Sequence, residues 1–370
     1  MIPFLDLSAT YRELKPEIDD AVQRVLSSGW YILGPEVEAF EQEWAAYCGS
    51  AHCVSLANGL DALELALKAL GVAEGDEVIV PSNTYIATWL AVTALGARPV
   101  PVEPNPNTHL ITADAIRQKI TPRTRVILPV HLYGQPADMG PIVELAKLKG
   151  LYIVEDAAQA HGAKYHGRRI GAHGDIVCWS FYPGKNLGAY GDGGAITTSN
   201  AELADRISVL RNYGSRQKYF NEVEGVNSRL DPLHAAILRV KIRHLDEWNR
   251  RRVEIARLYS TELRESPVVL PVTEHGSESA WHLYVVRTVQ RDRLQDALSK
   301  AGVGTIIHYP VPPHMQAAYR RLGFAESSLP IARQLANEVL SLPIGPHLSL
   351  DEAHSVCRVI RETETGSAFL

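Results

Sequence analysis

The chain has little of what staples small or secreted domains together. Four of its 370 residues are cysteines, at positions 48, 53, 178 and 357, with no CxxC spacing. A disulfide framework is excluded, and the thiols read as buried side chains of a reducing compartment. No run of eighteen apolar residues occurs. Met1-Ile2-Pro3-Phe4-Leu5-Asp6 lacks the basic start and apolar middle of a signal peptide, so the expectation is a soluble cytoplasmic protein with no membrane partner. Basic excess is missing too: 37 Lys and Arg against 42 Asp and Glu leave a net charge of −5. A nucleic-acid binder would show a basic stripe.

Several chemical signatures are also absent. There is no GxGxxG after the first strand pattern, no HExxH and no GxSxG. A P-loop would need glycine where Trp179 stands and Ser or Thr where Asn186 stands. His161, His166 and His173, even with Asp156, match no zinc spacing.

What is present is an enzyme-sized chain, 46% hydrophobic and 21% charged. At this length a large domain plus a smaller one is expected, burying roughly three quarters of the unfolded surface. Short apolar strand patterns at Val54–Leu56, Glu77–Pro81, Arg125–Val130 and Tyr152–Asp156 alternate with helical periodicity. This predicts a mostly parallel sheet covered on both faces, an α/β fold. An amphipathic helix is expected around Glu17 to Ser27, and another from Pro35, at its first position, to about Cys48. From Pro232, after Asp231 as cap, a run to about Leu263 contains no glycine and no second proline, which predicts one long helix bridging two domains. Beyond it, strands at Leu283–Val289 and Thr305–Tyr309 and helices at 291–301, 329–340 and 349–362 read as a smaller α+β domain. The division is placed at 1–245, a cofactor-binding domain, and 246–370.

The stretch around Lys185 organises the chemistry. Asp175–Ser180 is an apolar strand, Pro183-Gly184 breaks it, and Lys185 then sits on a turn before a glycine-rich return to Ala195–Thr198. A partly desolvated amine on such a turn has a lowered pKa and becomes a nucleophile toward an aldehyde; a surface lysine in a hairpin is the alternative. Asn58-Gly59-Leu60 joins a strand to a helix start, where free N–H groups and the helix dipole suit a phosphate, although an ordinary βα turn fits as well. Tyr85 follows the next strand. Asp156 ends the fourth, either as a buried acid or as a helix cap before Ala157-Ala158. In a parallel sheet Gly59, Tyr85, Asp156 and Ser180 all lie outside the carboxyl ends, where ligands gather. An amine, a carboxylate, a phosphate cradle and an aromatic are together the requirements of pyridoxal phosphate.

Gly34-Pro35-Glu36-Val37, Asn58-Gly59-Leu60-Asp61-Ala62-Leu63, Val80-Pro81-Ser82-Asn83-Thr84-Tyr85, Glu155-Asp156-Ala157-Ala158-Gln159-Ala160-His161-Gly162, Ser180-Phe181-Tyr182-Pro183-Gly184-Lys185-Asn186, Gly225-Val226-Asn227-Ser228-Arg229-Leu230-Asp231 and His308-Tyr309-Pro310 resemble the DegT/DnrJ family. The members are pyridoxal-phosphate-dependent nucleotide-sugar aminotransferases of the type I (aspartate aminotransferase) fold. The resemblance spans nearly the whole chain. It implies that Lys185 holds the cofactor covalently and shuttles a proton, that Asp156 pairs with the pyridinium, and that Gln159 bonds the ring hydroxyl. Tyr85 would stack on the ring. The Gly59 and Leu60 amides and the Ser180 hydroxyl would take the phosphate. Asn227 would reach it from a second subunit, which implies a homodimer with shared sites.

Tyr182-Pro183-Gly184-Lys185-Asn186-Leu187-Gly188 with Tyr85-Ile86-Ala87-Thr88-Trp89 resembles enzymes that aminate C3 of a dTDP-3-keto-6-deoxyhexose, with L-glutamate as donor. Tyr182, His308 and Tyr309 would then face the sugar, and Lys218 and Arg229 the nucleotide diphosphate; packed or solvated roles stay open for each. Relatives often carry histidine where Asn221 stands and glutamine where His234 stands. The rival readings are a C4 aminotransferase, a dehydratase, which would carry histidine at position 185, and a regulator that has kept the fold without turnover.

Overall fold

A computed structural model describes residues 1–325 and 327–365. Its centre is a seven-stranded sheet of β1 (His52–Leu56), β2 (Glu77–Pro81), β3 (Arg98–Val102), β4 (Thr124–Ile127), β5 (Tyr152–Asp156), β6 (Ile176–Ser180) and β7 (Gly194–Thr198). The spatial order is β1-β7-β6-β5-β4-β2-β3. All neighbours from β6 through β3 are parallel, whereas β7 runs antiparallel to both β6 and β1. One strand is therefore reversed, and the carboxyl ends of the other six share one edge.

Alternation along each strand sends side chains to two separate cores. Ile79, Ile127, Ile153, Val177 and Trp179 pack with α2 (Pro35–Cys48), α5 (Ala113–Arg117), α6 (Met139–Lys149) and α8 (Pro232–Ile242). On the other face Val78, Val80, Val126, Val154 and Cys178 pack with α3 (Gly59–Ala69), α4 (Ile86–Ala94) and α7 (Ala201–Leu210). The four cysteines are buried and unpaired. No helix among the described residues is long and apolar enough to cross a membrane.

The first helix, α1, starts earlier than its periodicity suggests, at Leu7, and runs to Ser28. Asp6 caps it by accepting the Ser8 N–H at 2.9 Å, and Pro16 lies inside, two residues after a non-helical Leu14 with φ −111°. The expected single helix from Pro232 to about Leu263 is in fact two, α8 and α9 (Leu245–Glu262). Arg243 and His244 close tight turns onto Val240 and Lys241, and His244 sits at φ −105°, ψ −6°. Asp231 precedes the first of the two without bonding its amides through the side chain. Leu14, Ile18, Ala21 and Val25 of α1 pack against Ala236, Ile237 and Val240 before the break and Trp248 after it.

The last third has its own core. Ile255, Ala256 and Tyr259 of α9 pack with β8 (Tyr284–Arg287), α10 (Arg291–Lys300), β9 (Val339–Leu342) and α12 (Leu350–Thr365). Here α11 (Pro330–Glu338) stops at Glu338, and Val339 and Leu340, expected to end that helix, instead open a strand, Val339–Leu342, that pairs antiparallel with β8. The strand expected over Thr305–Tyr309 is reduced to one bridge, Ile306 to Ser341.

Candidate active site

A cleft of about 780 Å³ opens at the carboxyl edge of the sheet, between it and the segments around Arg252, His282 and His308. The loop 181–193 forms its floor. The Phe181 N–H donates to Gly193 at 2.7 Å, Ala189 to Phe181 at 2.8 Å and Lys185 to Tyr182 at 2.9 Å. Lys241 supports it from below, its Nζ donating to the Gly188 carbonyl at 2.5 Å beside the Tyr190 ring. Lys185 projects from this turn into the cleft. Burial draws its amine down to about 8, against the pull of Asp156. The surface-hairpin alternative is thereby replaced by a desolvated one.

Asp156 ends β5 and is buried. No helix follows it, so its Oδ1 takes only the Ala158 N–H, at 3.2 Å, while Oδ2 accepts from Thr88 Oγ1 at 2.9 Å. Thr84 Oγ1 in turn lies 2.9 Å from Thr88 Oγ1. Burial raises the carboxyl's pKa, opposed by these two donors and by Lys185. The site therefore invites a cationic partner.

The phosphate-type corner is also formed. Asn58 Oδ1 accepts the Asp61 N–H at 2.8 Å, leaving Gly59 and Leu60 as the first two residues of α3, whose N–H groups have no intrahelical acceptor. A Cβ on Gly59 would lie 2.6 Å from Ser180 Cβ and 3.2 Å from its Oγ. Only glycine brings this helix start against the end of β6, and the gap it leaves is lined by backbone amides and one hydroxyl.

Tyr85, 54% exposed, stands over the cleft with its ring centroid 5.2 Å from that of Tyr309. Gln159 is clamped: Oε1 accepts the Tyr133 N–H at 2.5 Å, and Nε2 donates to Tyr309 Oη at 3.0 Å. Burial raises the pKa of that phenol. His308 bonds Ser341 Oγ through Nδ1 at 2.8 Å, and burial holds its imidazole down at about 4, so it is neutral. Tyr182 lines the mouth.

Three expected residues stand outside this cleft. Asn227 is exposed and bridges to Asn212. Arg229 donates to Asn212 Oδ1 at 2.9 Å beside the Tyr213 ring. Lys218 lies over Tyr219 on an exposed hairpin. Within one chain, none of them lines the cavity.

Other residues in or around the cleft carried no local signal. Thr88 sits inside an apolar helix pattern. Asn186 is pinned to Asn249 and Ala280 at 2.9 and 2.8 Å, and its Oδ1 lies 3.1 Å from His282 Nδ1. Arg252 arrives from α9. His161 lies among Trp44, Trp179 and Phe181. Among the described residues no group of three or more His, Cys, Asp or Glu could hold a metal.

A reversed-strand α/β sheet with an amine, a buried acid and a phosphate cradle at one edge defines a type I pyridoxal-phosphate-dependent transferase. The chain belongs to the DegT/DnrJ/EryC1/StrS aminotransferase family, whose profile matches residues 12–361. It is a transaminase with pyridoxal 5′-phosphate as its cofactor. The erythromycin biosynthesis sensory transduction protein EryC1 of Saccharopolyspora erythraea is 58% identical over 361 residues, covering 97% of this chain and 99% of its own. The dTDP-3-amino-3,4,6-trideoxy-α-D-glucose transaminase of Streptomyces venezuelae is 56% identical over 362 residues, covering 98% and 96%. A crystal structure of S. venezuelae DesV with a ketimine intermediate matches with a TM-score of 0.96 at 56% identity, covering 98% of each chain.

Proposed function

We propose that this protein transfers the amino group of L-glutamate to C3 of a dTDP-3-keto-6-deoxyhexose, in two half-reactions that share one site. The carrying observation is the pairing of the lowered Lys185 amine with buried Asp156 in one cleft. The C3 assignment draws on the 56% identical relative named for a 3-amino sugar.

The cofactor, when bound, supplies an aldehyde and an electron-withdrawing ring. This chain's residues do the rest. Gly59 and Leu60 N–H and Ser180 Oγ bind its phosphate. The Asp156 carboxylate, kept in place by Thr88 and Ala158, holds a positive charge at the ring nitrogen. Gln159, with one Nε2 hydrogen still uncommitted, orients the ring hydroxyl, and Tyr85 covers the ring face. Lys185 Nζ, its pKa drawn down to about 8 by burial, takes a proton from one carbon and returns it to another. Tyr182, His308 and Tyr309 border the space left for the sugar.

Asn227, Lys218 and Arg229 are read as serving the cleft of a second copy. The support is that their segment also exposes Tyr213, Tyr219, Phe220 and Val223, while Trp30, Tyr31 and Ile32 are exposed as well. Such apolar surface suits a dimer interface. The division of the chain at 245/246 follows the start of α9, whose later residues belong to the separate C-terminal core. A cytoplasmic site of action suits a sugar-nucleotide substrate and four unpaired thiols.

The test is incubation with glutamate and either dTDP-3-keto or dTDP-4-keto sugar, with products read by mass and NMR. Amination of the 3-keto compound is expected. Turnover of the 4-keto compound alone overturns the C3 assignment.

A further inference from the structure

Arg252 is 3% exposed yet lines the cleft. Its Nη1 donates to the carbonyls of Trp281, His282 and Ile344 at 3.1, 3.3 and 3.2 Å. Its Nε is buried with no hydrogen-bond partner, and no ion pair joins it to a carboxylate among the described residues. Burial brings its pKa only to about 10, so the charge remains. A buried cation with neutral acceptors alone is an unfavourable arrangement unless something anionic joins it.

The rest of the lining sharpens the point. Its other basic groups are Lys185, which is committed to the cofactor, and His282 and His308, both held neutral by burial. Its acids are Asp156 and Asp192. A small anion that enters therefore meets one uncommitted permanent positive charge. A guanidinium presents its donors in the flat fork that a carboxylate matches. A sugar ketone carries no such charge, but an amino-acid donor does.

We infer that Arg252 is the seat for a carboxylate of the amino donor, so that the donor and the sugar share the cofactor but not their anchoring group. This rests on the transamination proposed above, and its test separates the two. Glutarate, a dicarboxylate without an amine, cannot react and is titrated calorimetrically into the holoenzyme. R252M is expected to weaken glutarate about ten- to a hundredfold, and R252K by a smaller factor, with thermal midpoint and cofactor absorbance checked in each. In single-turnover absorbance measurements the glutamate half-reaction loses affinity by the same factor, while the half-reaction started from the amino sugar falls far less.

Equal glutarate binding by R252M, or an equal fall of both half-reactions, overturns the assignment. Should R252M not fold, R252K decides, and unchanged glutarate binding there overturns it as well. If glutarate binding depends on Arg252 but no keto nucleotide-sugar is aminated, the substrate reading fails and this one stands. If R252M aminates the sugar at the parental rate under limiting glutamate, the reverse holds.

Discussion

Thr88 Oγ1 donates to Asp156 Oδ2 at 2.9 Å, and both groups are buried. The bond favours the ionised form of the carboxylate, opposing the burial that raises its pKa. Removing the hydroxyl in Thr88→Val is expected to weaken cofactor binding by about 0.5–1.5 kcal/mol. Asp156→Asn, which removes the charge, should cost more, on the order of 1.5–3 kcal/mol, and nearly abolish turnover. Cofactor titration by absorbance checks both. An unperturbed affinity in Asp156→Asn refutes the assigned ring contact.

Lys185 yields a pH dependence with a definite sign. Its folded-state pKa is lowered to about 8, so the reactive neutral amine accumulates as pH rises through that value. Uptake of the cofactor by cofactor-free protein should accelerate up to about pH 8 and then level off. The unfolded chain keeps this proton to roughly 10.4. Stability of the cofactor-free protein should therefore rise with pH between those two values, relative to Lys185→Met. Urea midpoints measured at several pH values report the second effect, and a flat uptake profile contradicts the first.

The contact between Gly59 and Ser180 predicts selective damage. The Cβ of Gly59→Ala would meet Ser180 Cβ at 2.6 Å, prising the helix start away from the strand end. Pyridoxal phosphate affinity should fall by about tenfold or more, while affinity for pyridoxal, which has no phosphate, should barely change. Measuring the two ligands side by side separates a lost cradle from a general loss of fold.

The subunit reading is tested by mixing. Lys185→Ala and Asn227→Ala are each expected to be strongly impaired. Co-refolded in equal amounts they should recover roughly a quarter of parental activity, because half the dimers carry one intact composite site. No recovery, or a monomer by light scattering, removes Asn227 from the site.

Sequence patterns located the site where chemistry is local. The Asn58-Gly59-Leu60 turn, the acid closing β5 and the Pro-Gly turn before Lys185 each combine strand end, breaker and reactive side chain within a few residues. They were legible for that reason, as was the sheet that aligns them. Thr88 and Arg252 were not, because each lies in a helix pattern and meets the cleft only through tertiary packing. The break at Arg243–His244 left no mark either. It contains neither glycine nor proline and shows only in the tight turns of Arg243 and His244 onto Val240 and Lys241. Val339 and Leu340 joined a helical prediction because a short apolar run fits both periods. Asn227, Lys218 and Arg229 lie away from the cleft of their own chain, because the reach expected of Asn227 is into the site of a second copy.

Strand β7 turns back along β6, so both ends of loop 181–193 are stitched into the rigid centre of the molecule. The amine is thus anchored like a tooth in a jawbone. Any bite that tightens around a bound sugar has to come from the opposite jaw, the wall carrying Arg252, His282 and His308. Telling one substrate from the next then falls to what that wall carries, while the reactive nitrogen keeps its place.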